Sequence, residues 1–487
     1  MNYDAVTNLA LSKGFYFPSC EIYADAQAGF WDYGPLGVAL KNRYIELWRR
    51  ELVRRDGMLE IDGTQIMSKS VFVASGHLDS FNDPIVRCLK CSAVHRADKL
   101  ISEHINAIVP ERISNEELDA LIAKNNIRCP RCNGDLGKVS RFNMMFRVGI
   151  GADDVDAYLR PETCQSIFVD FARLFKIMRC KLPIAIAQIG KSFRNEIAPR
   201  QSIIRLREFY QAEIEVFFNP KKIDSIDERK FNSVKDVMLR IYDGNSLYEV
   251  TVLEALDKGI IPNKLIAYYL GLLADFYSKT GIDMKRTRFR RLGDDEKAFY
   301  ASIAFDFEVN TSLGWIELVA CNYRSDHDLK GHMQVSKENL EVMDGDEKVL
   351  AHVFELSMGI ERSIYCILEH SLQEDKENNR VVLRLKPYLA PIQVGVLPLV
   401  NKDGLDTKAL EIYDMLKRDF DTFYDDSGTI GRRYRRLDEI GTPYAIAVDR
   451  QSMQDNTVTI RDRDTMKQVR VKIEDLKAEL ARRFIIG

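Results

Sequence analysis

The sequence predicts an α+β protein with a further mixed α/β domain at its C-terminal end, and three observations carry that reading. KLPIAIAQIGKSFRNE and RLREFYQAEIEVFF read as strands joined by the polar, proline-bearing IAPRQSI, the outline of an antiparallel hairpin. More strands return in IAFDFEV and GWIELVACNY. Beyond the charged, apolar-poor QEDKENNR, read as a linker, strands and helices alternate over roughly a hundred residues, the size of an independent mixed α/β domain.

The length of 487 residues favours about three domains, and 46% apolar residues can bury real cores. A formal charge of −3 excludes a wholly basic nucleic-acid coat, so any RNA contact must be local. No apolar run approaches the roughly twenty residues of a membrane span. The N-terminus MNYDAVTNLALSKGFYF has no basic region, long apolar stretch or small-residue cleavage site, so a cytoplasmic protein without membrane contact is expected.

Pro35 suits a first helical position, and PLGVALKNRYIELWRRELVRRD runs at helical period until Gly57. Leu36, Leu40, Tyr44, Leu47 and Trp48 form its apolar face. MLEIDGTQIM reads as a strand that bends at Gly63. Residues 82–140 read as an insertion, with cysteine pairs flanking the helical ISNEELDALIAKNN. FNMMF then reads as a strand and ETCQSIFVDFARLFKIMR as a helix. Residues 219–290, including DERKFNSVKDVMLRIY and PNKLIAYYLGLLADFYSKT, read as a helical insertion. HVFELSMGIERSIYCILEHS turns from strand to helix at Gly359.

Three clusters carry chemistry. Cys88, Cys91, Cys129 and Cys132 form two C-x-x-C knuckles that can close a tetrahedral four-thiolate shell around structural Zn²⁺. The rivals are a redox dithiol, which needs one pair, and unpaired structural thiols. Arg194, Asn195 and Glu196 stand at one hairpin end, with Arg205 and Arg207 opposite. Arginine forks suit a triphosphate, although an exposed charged hairpin is the commoner meaning of such a run. At the Gly359 junction, Arg362 projects from a first helical turn, an ordinary arrangement when taken alone. Among the C-terminal arginines, Arg432, Arg433, Arg435 and Arg436 flank Tyr434. They suit the phosphates of an RNA loop and a stacked base, or equally ion pairs with Asp438 and Glu439.

FWDYGPLGVALKNRY, SGHLDSFNDP, FNMMF, YLRPETCQSIFVDF, SFRNEIAPR, REFYQAEIE, GWIEL and RSDHDL, in this order, resemble the class II aminoacyl-tRNA synthetases and, within them, the dimeric glycyl-tRNA synthetases. GTIGRRYRRLDEIGTPYAIAVD resembles the anticodon-binding domain shared by the glycine, histidine, proline and threonine enzymes. The resemblance implies a homodimer with an antiparallel sheet flanked by helices. Its catalytic core would span 1–81 and 141–380, with motif 1 near 33–70, motif 2 near 190–218 and motif 3 near 351–369. A zinc-binding insertion would occupy 82–140, and an anticodon-binding domain 389–487.

It further implies ATP- and Mg²⁺-dependent activation of glycine and transfer to the 3′ end of tRNA-Gly. Around ATP it places Arg194, Asn195, Glu196, Ile204, Arg205, Leu206, Arg207, Glu208, Phe209, Glu317, Leu318, Gly359, Ile360, Glu361 and Arg362, with Arg194 and Arg362 catalytic. Around glycine it places Arg96, Glu162, Phe209, Tyr210, Gln211, Ala212, Glu213, Arg324, Glu355, Leu356, Ser357, Met358 and Gly359. Without that resemblance, each glutamate reads first as a solvated strand-end charge. Glycine offers an ammonium, a carboxylate and two hydrogens, so carboxylates could converge on the ammonium and fill the space a methyl needs.

The chain departs from the pattern in places. Ser68 replaces a usual proline, Cys164 and Ser166 a usual alanine and glycine, and Leu356 and Glu361 a usual proline and glycine. Ser166 and Leu356 are expected nearest the glycine pocket. Two other classes remain: a non-catalytic nucleic-acid-binding subunit of synthetase fold, and a class II enzyme for another amino acid. The first need not keep Arg194, Glu196 and Arg362.

Overall fold

Pro35 fixes the backbone for a first helical turn, and the computed structural model starts helix α1 there (Pro35–Trp48). The model describes residues 2–107, 109–110, 113–293, 296–297 and 301–486. A π-helical stretch, Arg49–Arg54, continues α1 toward Gly57, whose φ of 76° stops it where the sequence reading expected. Leu40, Tyr44, Leu47 and Trp48 are buried in the main core, with Leu36 packed at its margin. Burying such side chains stabilises the fold by about 1.5–3 kcal/mol each.

The central sheet has nine strands. In chain order they are β1 (Leu59–Ile61), β2 (Ile184–Phe193), β3 (Glu208–Phe218), β4 (Met238–Tyr242), β5 (Leu247–Thr251), β6 (Thr287–Arg291), β7 (Ile303–Thr311), β8 (Gly314–Ser325) and β9 (His352–Gly359). In space they run β5-β4-β6-β7-β8-β9-β3-β2-β1. Only β1·β2 and β4·β6 are parallel. The expected hairpin is β2·β3, registered from Ile184↔Phe217 to Phe193↔Glu208.

Residue alternation makes this sheet two-faced. Ala212, Ile214 and Val216 of β3 share the main core with Leu356 and Met358 of β9, and with Val319 and Cys321 of β8. The intervening positions are polar. Gln211, Glu213 and Glu215 oppose Gly359, Ser357 and Glu355. Ala320 and Asn322 oppose Ser357 and Glu355.

Several expectations need correction. MLEIDGTQIM is two short strands in different sheets: β1 joins the central sheet, while Ile66–Ser68 pairs with Val155–Leu159. FNMMF falls between the strands Ser140–Asn143 and Phe146–Ile150 and belongs to both. Residues 219–290 are not a helical insertion. They hold a long helix, Lys264–Ser278, but VKDVMLRIY ends in β4, which forms a hairpin with β5 and extends the central sheet through β6. Leu239 and Ile241 alternate into the core, and Gly244, at φ 99°, makes the turn. QEDKENNR is likewise not a loose linker, because Leu372–Asp375 and Arg380–Leu383 pair as a hairpin across it.

Residues 82–143 build a small sheet and helix Asn115–Lys124 around their own apolar cluster, including Val86, Ile101, Leu118 and Ile122. The C-terminal part is a separate five-stranded mixed sheet, with strands at 422–424, 394–398, 444–448, 457–462 and 468–472 in spatial order. Its core includes Val394, Val396, Ile412, Ile446 and Ile460. No helix among the described residues is long and apolar enough to cross a membrane.

Candidate active site

The polar face of β3, β8 and β9 floors a cleft of about 240 Å³. At one end stand Arg194, Glu196, Arg205 and Phe209 from the hairpin, and across it Glu317 and Arg362. Arg194 follows directly on β2, its backbone N–H donating to the Arg207 carbonyl at 2.9 Å. Its Nε donates to the Pro161 carbonyl at 3.1 Å, and the guanidinium stands 5.4 Å from the Phe209 ring centre. Arg362 sits in the first turn of the helix Ile360–Ser371. It donates to the carbonyls of Glu317 (3.0 Å) and Ile204 (3.3 Å). A guanidinium has five donors, so anchoring on carbonyls leaves a fork for an anion. The two arginines, far apart in sequence, thus face one cleft.

At the other end, hydroxyls and amides organise buried carboxylates. Glu213 accepts from Thr163 Oγ1 at 2.6 Å and from Ser357 Oγ at 2.7 Å. Glu355 accepts from Asn322 Nδ2 and Arg324 Nη1, both at 2.8 Å. Asp328 holds Arg324 bidentately, 2.7 Å to each oxygen. Glu162 accepts from Gln165 at 2.7 Å and lies 3.5 Å from His77 Nε2.

Burial shifts these groups apart. It pushes the Glu355 carboxyl up to about 7; Arg324 opposes this and the neighbouring Glu213 and Glu162 add to it. Glu213 is raised by burial and by the charge of Glu162. Burial acts on Glu162 too, but His77 and Arg324 outweigh it and hold this carboxyl well below its usual range. Burial also lifts Glu361 to about 7, although its carboxylate accepts the Tyr210 backbone N–H at 2.9 Å.

The family profile described as "tRNA synthetase class II core domain (G, H, P, S and T)" matches residues 146–371, and "Anticodon binding domain" matches 393–483. The glycine-tRNA ligase of Methanothrix thermoacetophila is 40% identical over 97% of this chain and 95% of its own. Those of Pyrococcus furiosus and Methanocaldococcus jannaschii are also 40% identical, over 98% and 99% of both chains. The chain belongs to the glycine-tRNA ligase family. Its fold is shared with a Cryptosporidium parvum threonyl-tRNA synthetase structure (TM-score 0.60, 17% identity, 99% of this chain and 98% of that one). It is also shared with the prolyl-tRNA synthetase of that organism (TM-score 0.58, 14% identity, 99% and 75%).

In this member of the ligase family the cleft gathers most expected residues. Arg194, Glu196, Ile204, Arg205, Leu206, Phe209, Glu317, Leu318, Gly359, Glu361 and Arg362 line it, with Glu162, Gln211, Glu355 and Ser357. Glu213 and Arg324 act on it from behind, through Ser357 and Glu355. The remainder do not line it. Ala212, Leu356, Met358 and Ile360 are in the apolar core, because strand alternation or the helix start turns them away. Glu208 and Tyr210 face a separate cavity, where Glu208 pairs with Lys191 and the Lys41 ammonium lies 3.9 Å from the Tyr210 ring centre. Arg207 reaches back to the carbonyls of Glu196 and Ala28, and Asn195 donates its backbone N–H to Met144. Arg96 is held by Asp83 (3.1 Å) and Asp98 (2.5 Å) and faces a groove with Lys99 and Arg200.

Ile203, Ala320 and Asn322 line the cleft without having been expected there. A period-two reading from Leu318 through Ala320 and Asn322 to Arg324 was available for the last two. Neither of the departures expected nearest the glycine end, Ser166 and Leu356, lines the cleft. Leu356 is in the core on the other face, and Ser166 packs against Gly63. A Cβ built on Gly63 would stand 2.1 Å from Ser166 Oγ. Gly63→Ala is therefore expected to lower stability by about 1–3 kcal/mol. Adding Ser166→Gly should recover most of that loss in a thermal-denaturation double-mutant cycle, whereas additive losses would show the two do not touch.

The four knuckle cysteines come together. Cys88 and Cys132 sulfurs are 3.5 Å apart, and Cys91 and Cys129 sulfurs 3.7 Å. A tetrahedral Zn–S distance of about 2.3 Å demands sulfurs roughly 3.8 Å apart, so these residues fit the ion. His95 Nε2 is 3.4 Å from Cys129 Sγ and outside the quartet.

The C-terminal arginines do not form the expected ion pairs with Asp438 and Glu439. Arg433 is buried and donates to the carbonyls of Pro398 and Gly428, and Arg436 pairs with Asp425 at 2.6 Å. The Arg461 guanidinium lies over Tyr434, 4.7 Å from the tyrosine ring centre. Asp438 instead holds Arg380 and Arg461, and Glu439 pairs with Lys13. Only Arg432 and Arg435 of the four are exposed.

Proposed function

We propose that the chain activates glycine with ATP to glycyl-adenylate and transfers the glycyl group to the 3′ end of tRNA-Gly. The observation that carries this is the pair Arg194 and Arg362 facing one cleft whose far end is crowded with carboxylates. A bent ATP fits between them. Phe209 offers a stacking face for adenine, Glu196 an acceptor for its amino group, Arg194 grips the α-phosphate and Arg362 the γ-phosphate. The glycine carboxylate attacks the α-phosphorus and pyrophosphate leaves, so no covalent enzyme intermediate and no side-chain base are needed. In the second step a terminal ribose hydroxyl attacks the glycyl carbonyl, and AMP leaves.

Mg²⁺ suits the hard carboxylate oxygens of Glu317 and would neutralise the leaving charge. Cys88, Cys91, Cys129 and Cys132 would hold structural Zn²⁺, with no open position for chemistry. Domain limits of 1–81 with 141–380, 82–140 and 389–487 belong to the same proposal, as do a cytoplasmic homodimer and RNA contacts by Arg432 and Arg435.

Pyrophosphate exchange across the twenty amino acids tests the reading. Exchange with glycine is expected. No exchange would favour a non-catalytic nucleic-acid-binding subunit, and exchange with proline or threonine alone would overturn the pocket assignment.

The ammonium is best held when Glu355 is ionised. That carboxyl is raised to about 7, so it is protonated below that value and charged above it. The glycine KM is therefore expected to fall as pH rises from 6 to 8 and then level off, as measured by exchange kinetics. Glu355→Gln should flatten this profile, and an unchanged slope in the variant would assign the titration elsewhere.

A further inference from the structure

Beside Glu355 lie two further donors that activation does not use, Cys164 and Glu215. Cys164 opens the helix Cys164–Ile177 and its side chain is wholly buried. Glu215 and Glu355 are register partners across β3 and β9. One ligand atom from each of these three residues lies within 4.8 Å of the others. Glu355 has its oxygens engaged by Arg324 and Asn322. Glu215 is different: it is 0% exposed, and neither carboxyl oxygen has a hydrogen-bond partner among the described residues. An orphaned buried polar group costs about 1–3 kcal/mol or more, so Glu215 calls for a partner that can satisfy its oxygens.

The donor chemistry narrows that ligand. Mg²⁺ and Ca²⁺ take oxygen donors, whereas a buried sulfur beside two carboxylates suits a thiophilic divalent ion. We propose that Cys164, Glu215 and Glu355 form a binding site for a thiophilic divalent cation such as Zn²⁺ or Cd²⁺, entered from the amino-acid end of the cleft. In a tetrahedral zinc site, sulfur and oxygen donors stand roughly 3.5 Å apart, so side-chain rotation of about an ångström closes the set. The thiol proton leaves through the cleft as the metal–sulfur bond forms. Glu355 lines the cleft, so capture of the ion withdraws a carboxylate from glycine and makes the metal a competitive inhibitor. That last clause rests on the proposed glycine position, whereas metal capture does not.

The test uses the full-length protein with its four-cysteine cluster zinc-loaded. Cd²⁺ is titrated while cadmium–thiolate ultraviolet absorbance is followed, and bound zinc and cadmium are counted together after gel filtration. The native chain is expected to bind one equivalent more than Cys164→Ala, which keeps the four-thiolate signal and the fold. Glu215→Gln should weaken that extra equivalent about tenfold or more. Equal metal content in native and Cys164→Ala protein would overturn the site, as would an unaffected Glu215→Gln. Extra binding that glycine fails to displace would uphold the site and count against the assigned glycine position.

Discussion

Arg362→Ala is expected to lower glycine-dependent pyrophosphate exchange about 10³-fold, the loss typical of removing one preorganised charge from a transition state. The fold should survive. The Arg362 side chain is 37% exposed and is held by the Ile204 and Glu317 carbonyls, with the Glu317 carboxylate at 3.6 Å, and it fills no core space. The effect should fall on kcat, because charge builds on the phosphates as pyrophosphate departs. Arg194→Ala should behave alike, since Arg194 is anchored by one backbone carbonyl and faces the same cleft. Exchange kinetics with a melting curve on each variant check both statements. A collapsed fold, or near-normal exchange, would contradict the roles given to these arginines.

Glu213→Gln is expected to raise the glycine KM by about 10- to 150-fold, equivalent to the 1.5–3 kcal/mol of a charge-assisted hydrogen bond. Glu213 is wholly buried and takes hydroxyl donors from Thr163 and Ser357, so its carboxylate orients Ser357 toward the cleft. The glutamine keeps the volume, and the two hydroxyls can turn to meet an amide, so folding should be spared while the negative potential at the ammonium falls. If kcat dropped with KM unchanged, Glu213 would belong to the phosphate chemistry instead.

Both predictions show how far one-dimensional reading reaches. Taken alone, the hairpin arginines and the arginine after Gly359 read as ordinary surface charges, and it was the resemblance to class II synthetases that singled out Arg194 and Arg362. The cysteine quartet was legible because its spacing alone permits a metal shell. DERKFNSVKDVMLRIY misled for the converse reason: its second half is a strand because β5 and β6 flank it in the folded sheet. Arg96 stays away from the cleft because Asp98, two residues on, and Asp83, brought alongside by the pairing of Asn82–Arg87 with Val94–Arg96, hold it.

Local order thus sufficed for the hairpin and for the charged groups at its ends, since backbone periodicity and turn chemistry act between near neighbours in the chain, while the family was legible only from the order of segments such as YLRPETCQSIFVDF, SFRNEIAPR and REFYQAEIE. Which of those groups share one cleft was decided by tertiary structure. The register of β3 against β9 turns Glu213 and Glu215 toward Ser357 and Glu355 while sending Leu356 and Met358 into the core. A shift of one residue would exchange the two faces, and only burial of the apolar face against distant helices excludes that shift.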